Sequence, residues 1–141
     1  MIYIRKYYDL EVLSAIDISN QSCFELKISS NFIYTLLYDE IVKKYTVKMY
    51  TMNGSEVHRG DYDYINNMEI DENGNVLVGY FKENVIKVFD ATMQKVIKTI
   101  EIEEEKTERD AMFMSFVYKE ELGGAICIFS NSDIVKVEIN Y

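Results

Sequence analysis

Short apolar runs recur along the chain, separated by clusters of Asp, Asn, Gly and charged residues. Strand-length runs punctuated in this way predict antiparallel hairpins rather than helices. The clearest unit runs from Ile65 to Ile100. Ile65, Met68 and Ile70 supply the apolar positions of a first strand. Asp71-Glu72-Asn73-Gly74-Asn75 follows, without a long apolar side chain and with a glycine able to take positive φ, so it reads as a hairpin turn. Val76 to Phe81 is a nearly continuous run of β-branched and aromatic residues, which predicts a strand covered on both faces in the middle of a sheet. Lys82-Glu83-Asn84 makes a second turn, and Val85 to Phe89 a third strand that stops at Asp90. After Ala91 to Gln94, the positions Val96, Ile97 and Ile100 mark a fourth, more polar strand suited to an edge.

The same pattern recurs on both sides. Lys6, Lys48 and Lys87 each stand two residues before an aromatic (Tyr8, Tyr50, Phe89), at spacings near the roughly 40-residue period of propeller blades. A further copy fits Ile134-Val135-Lys136-Val137, after a longer gap that contains an acidic insertion. Residues 1–19 read as the outer half of a blade, with strands Ile2 to Asp9 and Glu11 to Ile18. Residues 20–59 form a blade with strands Cys23 to Ile28, Phe32 to Leu37 and Tyr45 to Tyr50, and a turn at Met52-Asn53-Gly54 leading to Val57. Residues 60–100 form the next blade, and 111–141 an incomplete one with strands Met112 to Tyr118, Ala125 to Phe129 and Ile134 to Ile139. The expected fold is all-β: a partial β-propeller of about three four-stranded antiparallel blades, in a single domain over 1–141.

The unit from Gly60 to Ile100 resembles a WD-repeat blade. Gly60-Asp61 stands where that family has Gly-His, Asp71-Glu72-Asn73-Gly74 matches its Ser-Pro-Asp-Gly turn, and Phe89-Asp90 stands where it has Trp-Asp. Asp61 and Phe89 depart from the pattern, so the family's hydrogen-bonded tetrad cannot form in its usual way, and the likeness extends to propellers in general, including NHL-type repeats. Tyr50-Thr51-Met52-Asn53-Gly54 also resembles the C-terminal propellers of BEACH-domain trafficking scaffolds. These resemblances imply a non-catalytic protein-interaction scaffold. Propellers close with typically about 4 to 8 blades, and an open repeat array leaves strand edges and an apolar blade face exposed. The expectation is therefore a segment of a larger propeller, or self-association that completes a ring.

Composition narrows the function classes. With 141 residues and 48% hydrophobic content, one domain with its own core is expected. A formal charge of -9 argues against a nucleic-acid partner, because phosphate binding needs clustered Lys and Arg. Cys23 and Cys127 lie far apart, with no His or Cys at metal-ligand spacing; they read as reduced thiols in strands, with a disulfide between them left open. Arg5, Lys6 and Asp9 interrupt the first residues before a long apolar run develops, so they do not read as a signal peptide. No apolar segment approaches the ~20 residues of a membrane helix, so a cytoplasmic chain without direct membrane insertion is expected.

The expected partner-binding residues are Asp61, Tyr62, Asp63 and Tyr64, read as preceding a first strand, together with Glu103, Glu104 and Glu105. The glutamates belong to the acidic run Glu101 to Asp110, which reads either as a solvated inter-blade loop or as a docking loop for a basic protein. Tyr34, Tyr38, Tyr45 and Tyr80 are strand residues that can pack between blades or anchor an interface. No cofactor and no metal are expected: Asp71, Asn73 and Asn75 alternate as in a calcium loop, but Gly74 is fourth rather than sixth and Lys82 holds the twelfth position. His58 is expected to be an exposed rim residue, and Arg59-Gly60-Asp61 to mark the start of a blade. The alternative is a ligand-binding or hydrolytic propeller in which Asp17, Asp61 and Asp110 face a central channel. Catalysis would need a perturbed acid, a nucleophile or a metal, and the sequence pairs no residues for any of these.

Overall fold

The computed structural model describes residues 1–5, 9, 11–18, 21–102 and 111–140. Among them lie thirteen strands and one short 3-10 turn at Glu120–Leu122. The strands are β1 (Ile2–Arg5), β2 (Val12–Ile16), β3 (Ser22–Ile28), β4 (Phe32–Asp39), β5 (Lys44–Thr51), β6 (Glu56–Tyr62), β7 (Ile65–Ile70), β8 (Val76–Tyr80), β9 (Val85–Phe89), β10 (Val96–Glu101), β11 (Phe113–Lys119), β12 (Gly124–Phe129) and β13 (Ile134–Glu138). They form four antiparallel meanders, of two (β1-β2), four (β3-β4-β5-β6), four (β7-β8-β9-β10) and three strands (β11-β12-β13). The fold is all-β. The chain divides into two compact units, Met1–Asp63 and Tyr64–Tyr141.

In the first unit the inner strands β4 and β5 are apolar on both faces, and Ile33, Tyr34, Leu36, Leu37, Val47, Met49 and Tyr50 are all buried. Ile33 and Tyr50 pair across the two strands. They join Ile16 in a buried cluster against which Ile2, Ile4 and Ile18 pack, so the β1-β2 hairpin is held by aliphatic contact. The edge strand β3 differs. From Phe24 onward its residues alternate between solvent-facing and half-buried, and the apolar residues Phe24, Leu26 and Ile28 are on the solvent-facing side.

In the second unit all five residues of β8 are buried, as the unbroken apolar run predicts. Leu77, Ile86 and Val88 pack with Phe113, Phe116, Phe129, Ile100, Ile102 and Ile139 into one core shared by the two sheets. Two asparagines on β7 fix the register between these sheets. Asn67 donates from Nδ2 to Phe116 O (2.9 Å) and accepts the Phe116 N–H at Oδ1 (3.1 Å), so its amide replaces a strand for that residue. Asn66 Nδ2 donates to Phe113 O at 3.3 Å. Room for Asn66 comes from Gly79, where a Cβ would lie 2.1 Å from Asn66 Oδ1 and 3.0 Å from Phe116 Cδ1. The strand β11 therefore has main-chain groups satisfied from a side chain, which keeps them from being buried unpaired.

One turn geometry recurs. Asp71 N–H donates to Asn75 O (3.0 Å) and Gly74 N–H to Asp71 O (3.1 Å), with Gly74 at φ 80. Thr51 to Ser55 repeats the pattern around Gly54 (φ 89), and Phe129 to Asp133 repeats it around Ser132 (φ 70). These are three-residue hairpins in which a type I turn ends in a left-handed residue.

Two sequence expectations are corrected here. Gly60, Asp61 and Tyr62 do not begin a new sheet. They end β6, where Val47 pairs with Gly60, Thr46 with Asp61 and Tyr45 with Tyr62. His58 is not an exposed rim residue: it is half-buried on β6 opposite Met49, and its Nε2 is buried without a hydrogen bond among the described residues.

Candidate partner-binding surface

Each strand of the β3–β6 sheet brings one aromatic residue to the same end. The register places Ser22 opposite Tyr38, Tyr38 opposite Tyr45 and Tyr45 opposite Tyr62. The Tyr38 and Tyr45 rings lie 4.8 Å apart between centroids, and Phe24 meets both edge-on at 6.1 Å. A slip in register between Cys23 and Glu25 accompanies this placement of Phe24 beside the row. Tyr62 folds back over Gly60, where a Cβ would come within 2.5 Å of the phenol oxygen. The absence of a side chain at Gly60 gives the Tyr62 ring its place. Burial, and after it the Asp61 carboxylate, pushes the Tyr62 hydroxyl above its ordinary range, so it stays a neutral donor.

Beyond the aromatic row stands the β4–β5 hairpin tip. Asp39 Oδ1 accepts the N–H groups of Ile41 (2.8 Å) and Val42 (3.2 Å), and Lys43 takes the left-handed conformation at φ 55 before Lys44 pairs back with Asp39. This Asx turn holds the backbone in one shape. It leaves Ile41 89% and Val42 62% exposed, and Phe24 in the aromatic row is 63% exposed. Tyr38 and Ile41 line one shallow open cleft with Gln21, Ser22 and Glu40. A fully buried aliphatic side chain is worth about 1.5–3 kcal/mol relative to water. The tip thus leaves two aliphatic side chains unburied on a hydrogen-bonded turn.

Cys23 is free and lies close by, and desolvation raises its thiol above its ordinary value. Among the described residues no group of three or more His, Cys, Asp or Glu could hold a metal ion. In the Asp71 turn, Oδ1 accepts the N–H groups of Asn73 (2.9 Å) and Asn75 (2.8 Å), and Oδ2 accepts Asn75 Nδ2 (3.1 Å). Those donors account for the Asp, Asn and Asn spacing. Asp90 caps its own turn in the same manner, accepting the N–H of Gln94 at 2.9 Å.

The expected site residues are only partly brought together. Asp61 is exposed on β6 and accepts a hydrogen bond from Thr46 Oγ1 at 2.9 Å. Tyr62 joins the aromatic row, while Asp63 and Tyr64 form the link to β7, the unit boundary falling between them. Tyr64 has φ 59 and carries the Lys82 ammonium 3.4 Å from its ring centroid. Glu103, Glu104, Glu105 and Asp110 lie outside the described residues. Asp17 is exposed after β2. The sequence reading missed Phe24, Ile41 and Val42, because the tip between Tyr38 and Tyr45 carries no Gly, Pro or Asn to announce a turn.

No protein-family model matches the chain, and no curated protein matches its sequence. Among solved structures, a protein of unknown function from Bacteroides caccae is similar over 94% of this chain with a TM-score of 0.51 and 13% identity. The likeness is one of fold. The chain spans about half, 52%, of that protein's chain. No helix among the described residues is long and apolar enough to cross a membrane.

Proposed function

We propose that this chain is a non-catalytic protein-interaction scaffold built of WD-like β-propeller repeats, a segment of a larger propeller. The reading is supported by four successive antiparallel meanders and by their repeated turn chemistry. A fold match that extends over only half of the larger chain also favours it. The observation that carries the functional part is the preorganised apolar tip at Ile41 and Val42 beside the Phe24, Tyr38 and Tyr45 cluster. Rigid aromatic and aliphatic anchors of this kind dominate binding energy at protein interfaces. Asp61, Asp63, Tyr64, Glu103, Glu104 and Glu105 are proposed as further contacts for a basic partner. Two free thiols suit a reducing compartment, and the cytoplasm is the setting we propose.

The test is differential capture from an extract, comparing the wild-type chain with the Ile41→Asp, Val42→Asp and Phe24→Ala variants. Saturable capture of a defined protein should weaken at least tenfold in each variant while urea unfolding stays unchanged. Capture that ignores all three substitutions would remove this surface from the account.

A further inference from the structure

The last strand, β13, closes the three-stranded sheet, and no strand among the described residues pairs with its outer edge. The main-chain direction of that edge follows from its hydrogen bonds. Phe129 N–H donates to Asp133 O and Ile139 N–H to Gly123 O, while Val135 stands opposite Cys127 and Val137 opposite Ala125. Antiparallel pairs alternate between those that exchange hydrogen bonds and those that do not. Asp133, Val135, Val137 and Ile139 therefore turn their main chain toward β12. Ile134, Lys136 and Glu138 aim theirs outward, and all three side chains are exposed. An outward row of strand donors and acceptors is a template for another strand.

The charge pattern says which strand fits. Two identical antiparallel strands related by a two-fold axis must be centred on one residue, because opposed side chains share a face of the sheet. Centring on Lys136 would oppose like charges. Centring on Val137 instead sets Lys136 opposite Glu138 of the second copy, and Glu138 opposite its Lys136. Both are pairs in which the outward main-chain groups also meet. Val135 then faces Ile139 of the second copy on the half-buried side. On the other face Ile134 then stands opposite Asn140 of the second copy, so the seam on that side is polar, while Val117 and Ile128 stay exposed away from it.

We propose that β13 is a self-pairing edge, to which a second copy of this chain adds antiparallel in the register centred on Val137. This surface does not depend on the aromatic tip of the first unit. A five-residue edge buries far less than the roughly 1,600 Å² of a standard stable interface, so the dimer is weak and set by concentration.

Sedimentation equilibrium on the full chain tests this, with circular dichroism as the check on folding. The wild-type chain should dimerise reversibly. Lys136→Glu and Glu138→Lys should each weaken dimerisation about tenfold or more, since two attractive cross-strand pairs become repulsive. An equimolar mixture of the two variants should associate as the wild type does, because both positions again oppose unlike charges; the doubly swapped variant should do so by itself. A wild-type chain that stays monomeric up to about 1 mM, the weakest affinity worth the name, overturns the proposal. So does a dimer indifferent to both single substitutions, or a mixture no tighter than either variant alone.

Discussion

The two four-stranded sheets share a strand order and a hairpin chemistry, yet their first strands are used in opposite ways. In the second unit, β7 presents Asn66 and Asn67, whose amides are spent on the main chain of β11. In the first unit, β3 presents Phe24, Leu26 and Ile28 to solvent. Polar side chains are thus the internal fasteners of one sheet, and apolar side chains the outward face of the other. Hydrophobicity alone would have ranked the two strands the other way round. A first strand becomes structural when its polar groups find main-chain partners, and a candidate for binding when its apolar groups find none.

The comparison breaks most visibly at Asn67. Asn67→Leu removes both hydrogen bonds to Phe116 and leaves its N–H and C=O unpaired, so it should cost about 3 kcal/mol in urea denaturation. The reverse exchange on β3, Leu26→Asn, should cost no more than about 0.5 kcal/mol, as for a surface substitution. Equal losses at the two positions would erase the distinction. Gly79→Ala presses a methyl group against Asn66 and Phe116 and should cost about 2 kcal/mol, measured in the same way.

The shared turn gives a finer contrast. Asp71 is buried and accepts three hydrogen bonds, so Asp71→Ala should lose about 2 kcal/mol. Thr51 opens the same kind of turn between β5 and β6 but is less enclosed, accepting Ser55 N–H at 3.3 Å, and Thr51→Ala should lose about 0.5–1 kcal/mol.

The smallest effect concerns the thiols. Cys23 is exposed and Cys127 fully buried, so a thiol reagent should titrate one group in the folded chain and two in urea. Burial pushes the Cys127 thiol from 9.0 up to about 12. The unfolded chain then releases this proton first as the pH rises. Folded stability should hold below pH 9 and fall between about 9 and 12, and Cys127→Ala should flatten that part of the profile.

Much of the strand layout was legible because the turns announce themselves. Asp71 to Asn75 and Thr51 to Ser55 contain Gly at the position that needs positive φ, and the apolar run at Val76 admits one interpretation. The end of β6 was misread for a physical reason. Gly60-Asp61 reads as the start of a blade through its likeness to the Gly-His of WD repeats, but the pair lies inside β6 with the Tyr62 ring over Gly60, an interaction that sequence spacing does not reveal. The tip at Asp39 to Lys44 was silent because it has no Gly, Pro or Asn; an aspartate side chain does the turning. Asn66 and Asn67 read as ordinary polar strand positions, since their partners lie more than forty residues away.

Hydrogen exchange read by mass spectrometry tests the contrast between the first strands most directly. Amides of β7, β8 and β11 should exchange slowly, near the limit set by unfolding of their unit, while β3 should exchange orders of magnitude faster than β4 beside it. Protection of β3 equal to that of β7 would contradict the account, because it would mean that the exposed apolar strand is fastened as firmly as the one held by asparagines.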